Sequence, residues 1–101
     1  MSLHIGAFAL LIDDYDRAIA YYTGTLGFEL REDSLRENGK RWVLVAPAGA
    51  QTAILLAKAA NEIQQACIGK QTGGRVGYFL HTDDFERDHA LFLKRGVHFC
   101  E

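Results

Sequence analysis

One stretch of this sequence occurs twice, and that repeat constrains the fold more than any other feature. Residues 12–17 read IDDYDR, and residues 82–87, 70 positions later, read TDDFER. In each copy an apolar run precedes the paired aspartates, an amphipathic stretch follows them, and then comes a glycine, Gly27 or Gly96. The repeat indicates one structural module that is used twice.

Each copy predicts a strand followed by a helix. Residues 6–12 and 76–82 are the strand candidates. An aspartate after each strand can cap the next helix by accepting a backbone N–H of its first turn, and Asp83 with Glu86 has the spacing of a capping box. Gly27 and Gly96 suit the left-handed conformation that ends helices. The predicted apolar helix faces are Tyr15, Ala18, Ile19, Tyr22 and Leu26 in the first copy, and Phe85, His89, Phe92 and Leu93 in the second.

Three further strands are predicted between the copies, at residues 28–31, 41–46 and 52–57. Asn38-Gly39 is a turn dipeptide between the first two, and residues 47–50 form the next turn. A short helix is expected at residues 61–68, ended by Gly69, and residues 71–74 form a linker. The resulting order, β-α-β-β-β, linker, β-α-β, predicts an α+β fold of paired modules.

The second module is shorter than the first by about two strands. We predict a single domain over residues 1–101, with module one at about 4–58, a linker helix and loop at about 59–75, and a partial module two at 76–101. The chain is either a truncated form of the repeat or a repeat that is incomplete by nature, and we favour truncation.

Charge and composition exclude several classes of protein. The net charge is −2 and no basic stripe is present, which argues against nucleic-acid binding. No apolar run reaches membrane-spanning length, and the N-terminus has no secretory signal pattern. Cys67 and Cys100 lack metal-type spacing, so we expect two reduced thiols and a cytoplasmic protein.

Residues 12–22, together with Thr25-Leu26-Gly27-Phe28, resemble the opening of the vicinal oxygen chelate superfamily. That superfamily includes glyoxalase I, extradiol dioxygenases, and fosfomycin- and bleomycin-resistance proteins. The resemblance implies paired β-α-β-β-β modules whose strands form a curved mixed sheet around a cavity. One fold hosts many chemistries, so it is specific for the fold and weak for function.

The resemblance also implies where a metal would bind. Metal-dependent members use a histidine early in the first strand of each module and a glutamate on its last strand. These positions correspond here to Ala7, to Gly77, and to Leu55 or Leu56, while the fourth lies beyond Glu101. None of these side chains has a donor atom, so we expect no metal site at them.

The remaining histidines do not replace the absent ligands. His4 is expected to be a solvated terminal residue, and His89 a packed residue on the second helix. His81 shares strand parity with Gly77, so it could face a cavity, more as a hydrogen-bonding group than as a ligand. No role follows for His98, and no nucleophile motif or phosphate loop is present.

The leading hypothesis is metal-independent binding of a small, partly apolar molecule, in the manner of the bleomycin-resistance branch. The first alternative is a lyase or dioxygenase that depends on a divalent metal such as Ni, Zn, Fe or Mn. The second is a non-catalytic assembly module; a short second module would expose a strand edge, so a homodimer is expected. The predicted ligand-binding residues are Trp42, Leu44, Leu56, Phe79 and His81, with Ala7, Ala9 and Leu11 completing an apolar lining.

Overall fold

The computed structural model describes residues 2–99 and contains a four-stranded mixed sheet. The strand order is β1-β4-β3-β2; β1 runs parallel to β4, and the other neighbours are antiparallel. The predicted α+β class with a curved mixed sheet is therefore confirmed. The strands are β1 (Ala7–Ile12), β2 (Glu29–Leu35), β3 (Arg41–Ala46) and β4 (Ala53–Lys58).

Helix α1 (Tyr15–Ile19) continues without a break into a π-helical segment (Ala20–Thr25). The Asp14 carboxylate caps it by accepting the backbone N–H of Arg17 at 2.9 Å, and this bond lowers the pKa of Asp14. The predicted apolar face of this helix packs against the buried cluster of the sheet. Gly27 follows with φ of +76°, so the predicted left-handed stop is confirmed.

The hydrophobic core lies on the side of the sheet that α1 covers. Directly paired residues of neighbouring strands point to the same face, and Val43 pairs with Leu56 while Val45 pairs with Ile54. Val43, Val45 and Leu56 have no exposed surface at all. The buried cluster is Ile12, Phe28, Val43, Val45, Ile54 and Leu56.

The hairpin between β2 and β3 is longer than the sequence predicted. Its turn is at Asn38-Gly39, where both residues have positive φ, 60° and 74°, as the turn dipeptide predicts. Strand β2 extends to Leu35, whereas the prediction ended at residue 31, because the ladder with β3 continues almost to the turn. A register shift between Leu30 and Glu32 interrupts this ladder.

The second sequence copy forms its helix but not its strand. Helix α2 (Glu62–Cys67) begins at the cap Asn61, and α3 (Phe85–Lys94) begins at the cap Asp84. The predicted capping box of Asp83 and Glu86 is therefore wrong: Asp84 accepts the Arg87 N–H at 3.0 Å.

The strand predicted at residues 76–82 is also wrong, since no strand is present there. All four paired strands of the described chain precede residue 59, and an extended segment without a hydrogen-bonded neighbour forms no ladder. The strand expected after Gly96 is likewise absent as far as residue 99, beyond which Cys100 and Glu101 lie outside the described residues.

The outer edge of β1 is covered by one side chain. The Gln71 carboxamide accepts the Leu11 N–H at 2.7 Å and donates to the Ala9 carbonyl at 2.8 Å. It thereby satisfies two backbone groups that a neighbouring strand would otherwise pair.

Two further predictions concern the chain as a whole. None of the helices in residues 2–99 has the length and apolar character that crossing a membrane requires. Cys67 forms no disulfide with any described residue, and Cys100 is not among those residues.

Candidate ligand-binding face

The face of the sheet opposite the core presents a continuous apolar surface, which we call the open face. Leu55 pairs with Ala9 on one side and Leu44 on the other, so the three side chains lie in one row across β1, β4 and β3. Leu44 and Leu55 are half-buried, and Ala9 is exposed. Trp42, two residues before Leu44, points to the same side and is 41% exposed. The open face consists of Ala7, Ala9, Leu11, Trp42, Leu44 and Leu55.

Two positions at which the resemblance implies metal ligands, Ala7 and Leu55, lie on the open face, and their side chains do not fit a metal ion. Ala7 and Leu55 are diagonal neighbours on this face, and both are aliphatic. Gly77 has no side chain and lies in the segment without a strand. Within residues 2–99, no three His, Cys, Asp or Glu side chains gather as a metal site needs.

Leu56 is not on the open face, although the sequence placed it in the ligand lining. Leu56 pairs with Val43 and is fully buried in the core, on the side that α1 covers. Leu55 holds the position on the open face. Consecutive strand residues point to opposite faces, so the choice between these two leucines depends on the β3–β4 register.

A polar group stands at the β2 side of the open face. Glu32 pairs with Leu44 and Ser34 pairs with Trp42, so both side chains share the face. The Ser34 hydroxyl donates to Glu32 Oε2 at 2.8 Å, and Arg36 Nη2 lies 3.3 Å from the same oxygen. The Arg36 guanidinium carbon is 5.4 Å from the centre of the Trp42 ring. The sequence did not predict this group, because the register shift between Leu30 and Glu32 changes which β2 side chains share a face with Trp42 and Leu44.

Arg41 fixes the hairpin that carries Trp42. Its guanidinium binds both Asp33 carboxylate oxygens, at 3.1 and 2.7 Å, and reaches Asp16 of α1 at 3.0 Å. It also lies 5.0 Å from the Tyr15 ring centre, while its backbone N–H donates to the Tyr15 hydroxyl at 3.2 Å. Hydrogen bonds from Arg41 hold the pKa of Asp33 below its ordinary value. These contacts tie β2 and β3 to α1 and hold Trp42 in place from the opposite face.

The structure does not bring Phe79 and His81 to the open face. His81 lines a cavity of about 510 Å³ between residues 26–28 and α3, together with His89 and Asp88. Phe79 is 78% exposed and borders a separate groove of about 220 Å³. Of the five predicted ligand-binding residues, only Trp42 and Leu44 lie on the open face, where the predicted lining residues Ala7, Ala9 and Leu11 join them.

The cavity beside α3 is lined by aliphatic and aromatic side chains together with a few polar ones. The His89 ring lies between Phe85 and Phe99, with ring centres 5.2 and 4.6 Å away. The Asp88 carboxylate receives hydrogen bonds from Arg87 and from the Thr82 hydroxyl, which lower its pKa to about 2. The charge of Asp88 is thus already paired with its own neighbours.

Comparisons with known proteins identify relatives along almost the whole chain. The family model described as Glyoxalase/Bleomycin resistance protein/Dioxygenase superfamily matches residues 4–101. An uncharacterised protein of Shewanella frigidimarina (strain NCIMB 400) is 46% identical over 93 residues, which are 90% of this chain and 69% of that protein.

Solved structures agree with this match. TnmS3, an antibiotic binding protein from Streptomyces sp. CB03234, is 32% identical with a TM-score of 0.74, over 96% of this chain and 74% of its own. A superfamily member from Sphaerobacter thermophilus DSM 20745 is 29% identical with a TM-score of 0.81, over 99% and 77% of the two chains. The fold of these structures is thus the fold of the chain described above.

Proposed function

We propose that this chain, which belongs to the Glyoxalase/Bleomycin resistance protein/Dioxygenase superfamily, binds a small, partly apolar molecule on its open face without a metal ion. One observation carries the proposal. Where metal-dependent relatives are expected to have donor atoms, this face has Ala7 and Leu55, and the sole tryptophan of the chain is exposed on the same face. An apolar surface with a few polar groups at its edge is the usual form of a small-molecule site.

The exposed part of Trp42 supplies a useful amount of binding energy. A tryptophan side chain offers about 250 Å² of surface, and 41% of Trp42 is accessible, which leaves about 100 Å² for a ligand to cover. At about 25 cal/mol per Å² this burial contributes about 2.5 kcal/mol. The TnmS3 relative, described as an antibiotic binding protein, supports a ligand of drug-like size.

The test is a titration with tryptophan emission as the signal, because Trp42 is the only tryptophan of this chain. The probes are 8-anilinonaphthalene-1-sulfonate and a panel of aromatic antibiotics, with calorimetry as a second readout. Leu44→Ser is expected to weaken binding by about tenfold or more, since it removes apolar area from the centre of the face. Leu35→Ser is the matched control, because Leu35 is 78% exposed and pairs with Arg41, away from the open face. Equal loss in both variants, or no probe that moves the emission, contradicts the proposal.

The competing enzyme hypothesis is tested by metal content. The purified protein is incubated with nickel, zinc, iron or manganese, dialysed and subjected to elemental analysis. We expect less than stoichiometric retention, because the open face has no donor side chains at Ala7 and Leu55. Retention of one ion per chain would restore the metal-dependent lyase or dioxygenase.

We also propose that the chain self-associates, and exposed aromatic and aliphatic side chains in the second copy favour this. Phe79 is 78% exposed, Phe85 67% and Leu93 52%. Large exposed apolar side chains favour a contact, because covering them removes apolar area from water. We expect sedimentation equilibrium to give a dimer that Phe85→Ser weakens and Ile63→Ser, on exposed α2, leaves unchanged. A monomer at every concentration contradicts self-association and leaves the binding proposal intact.

A further inference from the structure

We infer that the ligand of the open face carries a planar cationic group, and that Arg36 occupies the place of that group in the free protein. The inference rests on the proposed function and names the chemical class of its ligand. Its basis is the arrangement of Trp42, Glu32 and Arg36 at the β2 side of the face.

The arrangement already holds a planar cation. The Arg36 guanidinium lies over the Trp42 ring, with its carbon 5.4 Å from the ring centre. An indole ring attracts cations to its face through its quadrupole. Arg36 Nη2 also lies 3.3 Å from Glu32 Oε2, an oxygen that the Ser34 hydroxyl orients from 2.8 Å. An aromatic platform with an oriented carboxylate beside it recognises a flat, delocalised positive charge.

Arg36 is held weakly enough for a ligand to displace it. Its side chain is 54% exposed in the ion pair with Glu32, and it stands just after β2 ends at Leu35. Exposed pairs of this kind contribute little to stability. Arg41, in the same hairpin, differs sharply: it binds Asp33 through two bonds and Asp16 through a third, and its side chain is 23% exposed. Of these two arginines, Arg36 is the one that can move away.

The apolar floor defines the rest of the ligand. Leu44 adjoins Trp42 and Glu32 on the same face, and Leu55 and Ala9 continue from it towards β1. A ligand with its cation over Trp42 would lay an apolar body along this row. Its charge would replace that of Arg36 beside Glu32, whereas an anionic ligand would meet the carboxylate. The expected class is a flat aromatic molecule with an amidine, guanidine or protonated aminoaromatic group.

The test compares three planar probes of nearly equal shape that differ in charge. These are 9-aminoacridine (cationic), acridine at slightly alkaline pH (neutral) and acridine-9-carboxylate (anionic), titrated by calorimetry. We expect the cation to bind about tenfold tighter than the anion, the effect of one charge-assisted contact. Glu32→Gln should remove this preference, and Arg36→Ala should tighten binding of the cation several-fold because the internal competitor is gone.

The pair of Arg17 and Asp13 gives a matched control. It has the same four-residue spacing, a distance of 3.4 Å and comparable exposure, but it lies at α1 away from the open face. Asp13→Asn and Arg17→Ala are expected to leave all three affinities unchanged, and circular dichroism checks that every variant is folded.

The outcomes separate the inference from the proposed function. Equal affinity for the three acridines, or weaker binding of the cation by Arg36→Ala, overturns the planar-cation inference while binding itself stands. If no acridine and no other aromatic probe binds, the proposed function and the inference both fail.

Discussion

Leu55 and Leu56 are neighbours in strand β4, and truncating each to alanine distinguishes the two faces of the sheet. Leu56 is fully buried against the core, whereas Leu55 is half-buried on the open face. A change from leucine to alanine removes three carbons, worth about 2.4 kcal/mol at about 0.8 kcal/mol per buried CH₂. At Leu56 the cavity left behind raises the loss to about 3–4 kcal/mol. At Leu55 no enclosed cavity forms, and we expect about 1 kcal/mol or less.

Urea unfolding and thermal unfolding, each followed by circular dichroism, measure this difference in the free energy of unfolding and in Tm. At about 4–8 °C per kcal/mol for a domain of this size, Leu56→Ala should lower Tm by more than about 12 °C. Leu55→Ala should shift Tm by less than about 8 °C, and it should weaken binding of the aromatic probes. If the two variants lose equal stability, or if Leu55→Ala is the more damaging, the β3–β4 register is shifted by one residue and the assignment of the open face is refuted.

Three more predictions concern helix ends and titrating groups. Gly27→Ala should lower the free energy of unfolding by about 1–2 kcal/mol, because Gly27 has φ of +76° and an added Cβ would lie 3.0 Å from Arg95 Nη1. Gly24→Ala is the control: an added Cβ there meets nothing within 4 Å, so urea unfolding should show no loss of stability or a small gain. Equal losses of stability in the two variants would contradict the prediction. Burial raises the pKa of the Tyr22 hydroxyl, and Tyr78 adds to the effect. The neutral form therefore stabilises the fold fully below the unfolded pKa of about 10, and this contribution disappears as pH rises through the folded pKa. A phenolate absorbance titration should show that Tyr22 ionises at the highest pH of the tyrosines. If the component with the highest pKa is still present in Tyr22→Phe, the prediction is contradicted. Hydrogen bonds from Arg87, the larger cause, and from Thr82 lower the pKa of Asp88 to about 2. The ionised Asp88 carboxylate therefore stabilises the fold above about pH 4, and this contribution is lost as pH falls through about 2. A carboxyl NMR shift of Asp88 that titrates near pH 4 would contradict the prediction.

Local patterns in the sequence predicted the local features of the fold. Asp14 caps α1 and Asn38-Gly39 turns the hairpin because each depends on residues within a few positions along the chain. The helix face that includes Tyr22 is likewise a matter of spacing, and it packs on the sheet as predicted.

Features that depend on distant partners could not be predicted in this way. The apolar run at residues 76–82 has the composition of a strand, but a strand needs a neighbour to hydrogen-bond with, and the described chain places none beside it. The face occupied by Leu56 depends on the register with β3, and the polar group at Glu32 depends on the shift in β2. His81 was assigned by strand parity, which has no meaning where no strand forms.

The contacts of the Gln71 carboxamide with β1 make this side chain a position where deamidation would change the edge of the sheet. Its amide nitrogen donates to the Ala9 carbonyl, so hydrolysis of the amide to a carboxylate would place two oxygens with lone pairs against each other and break that contact. The Ala9 carbonyl would then lose its donor, while the carboxylate could still accept the Leu11 N–H. A single deamidation would thus leave one carbonyl of the β1 edge without its partner, and Gln71→Glu reproduces that change in one step.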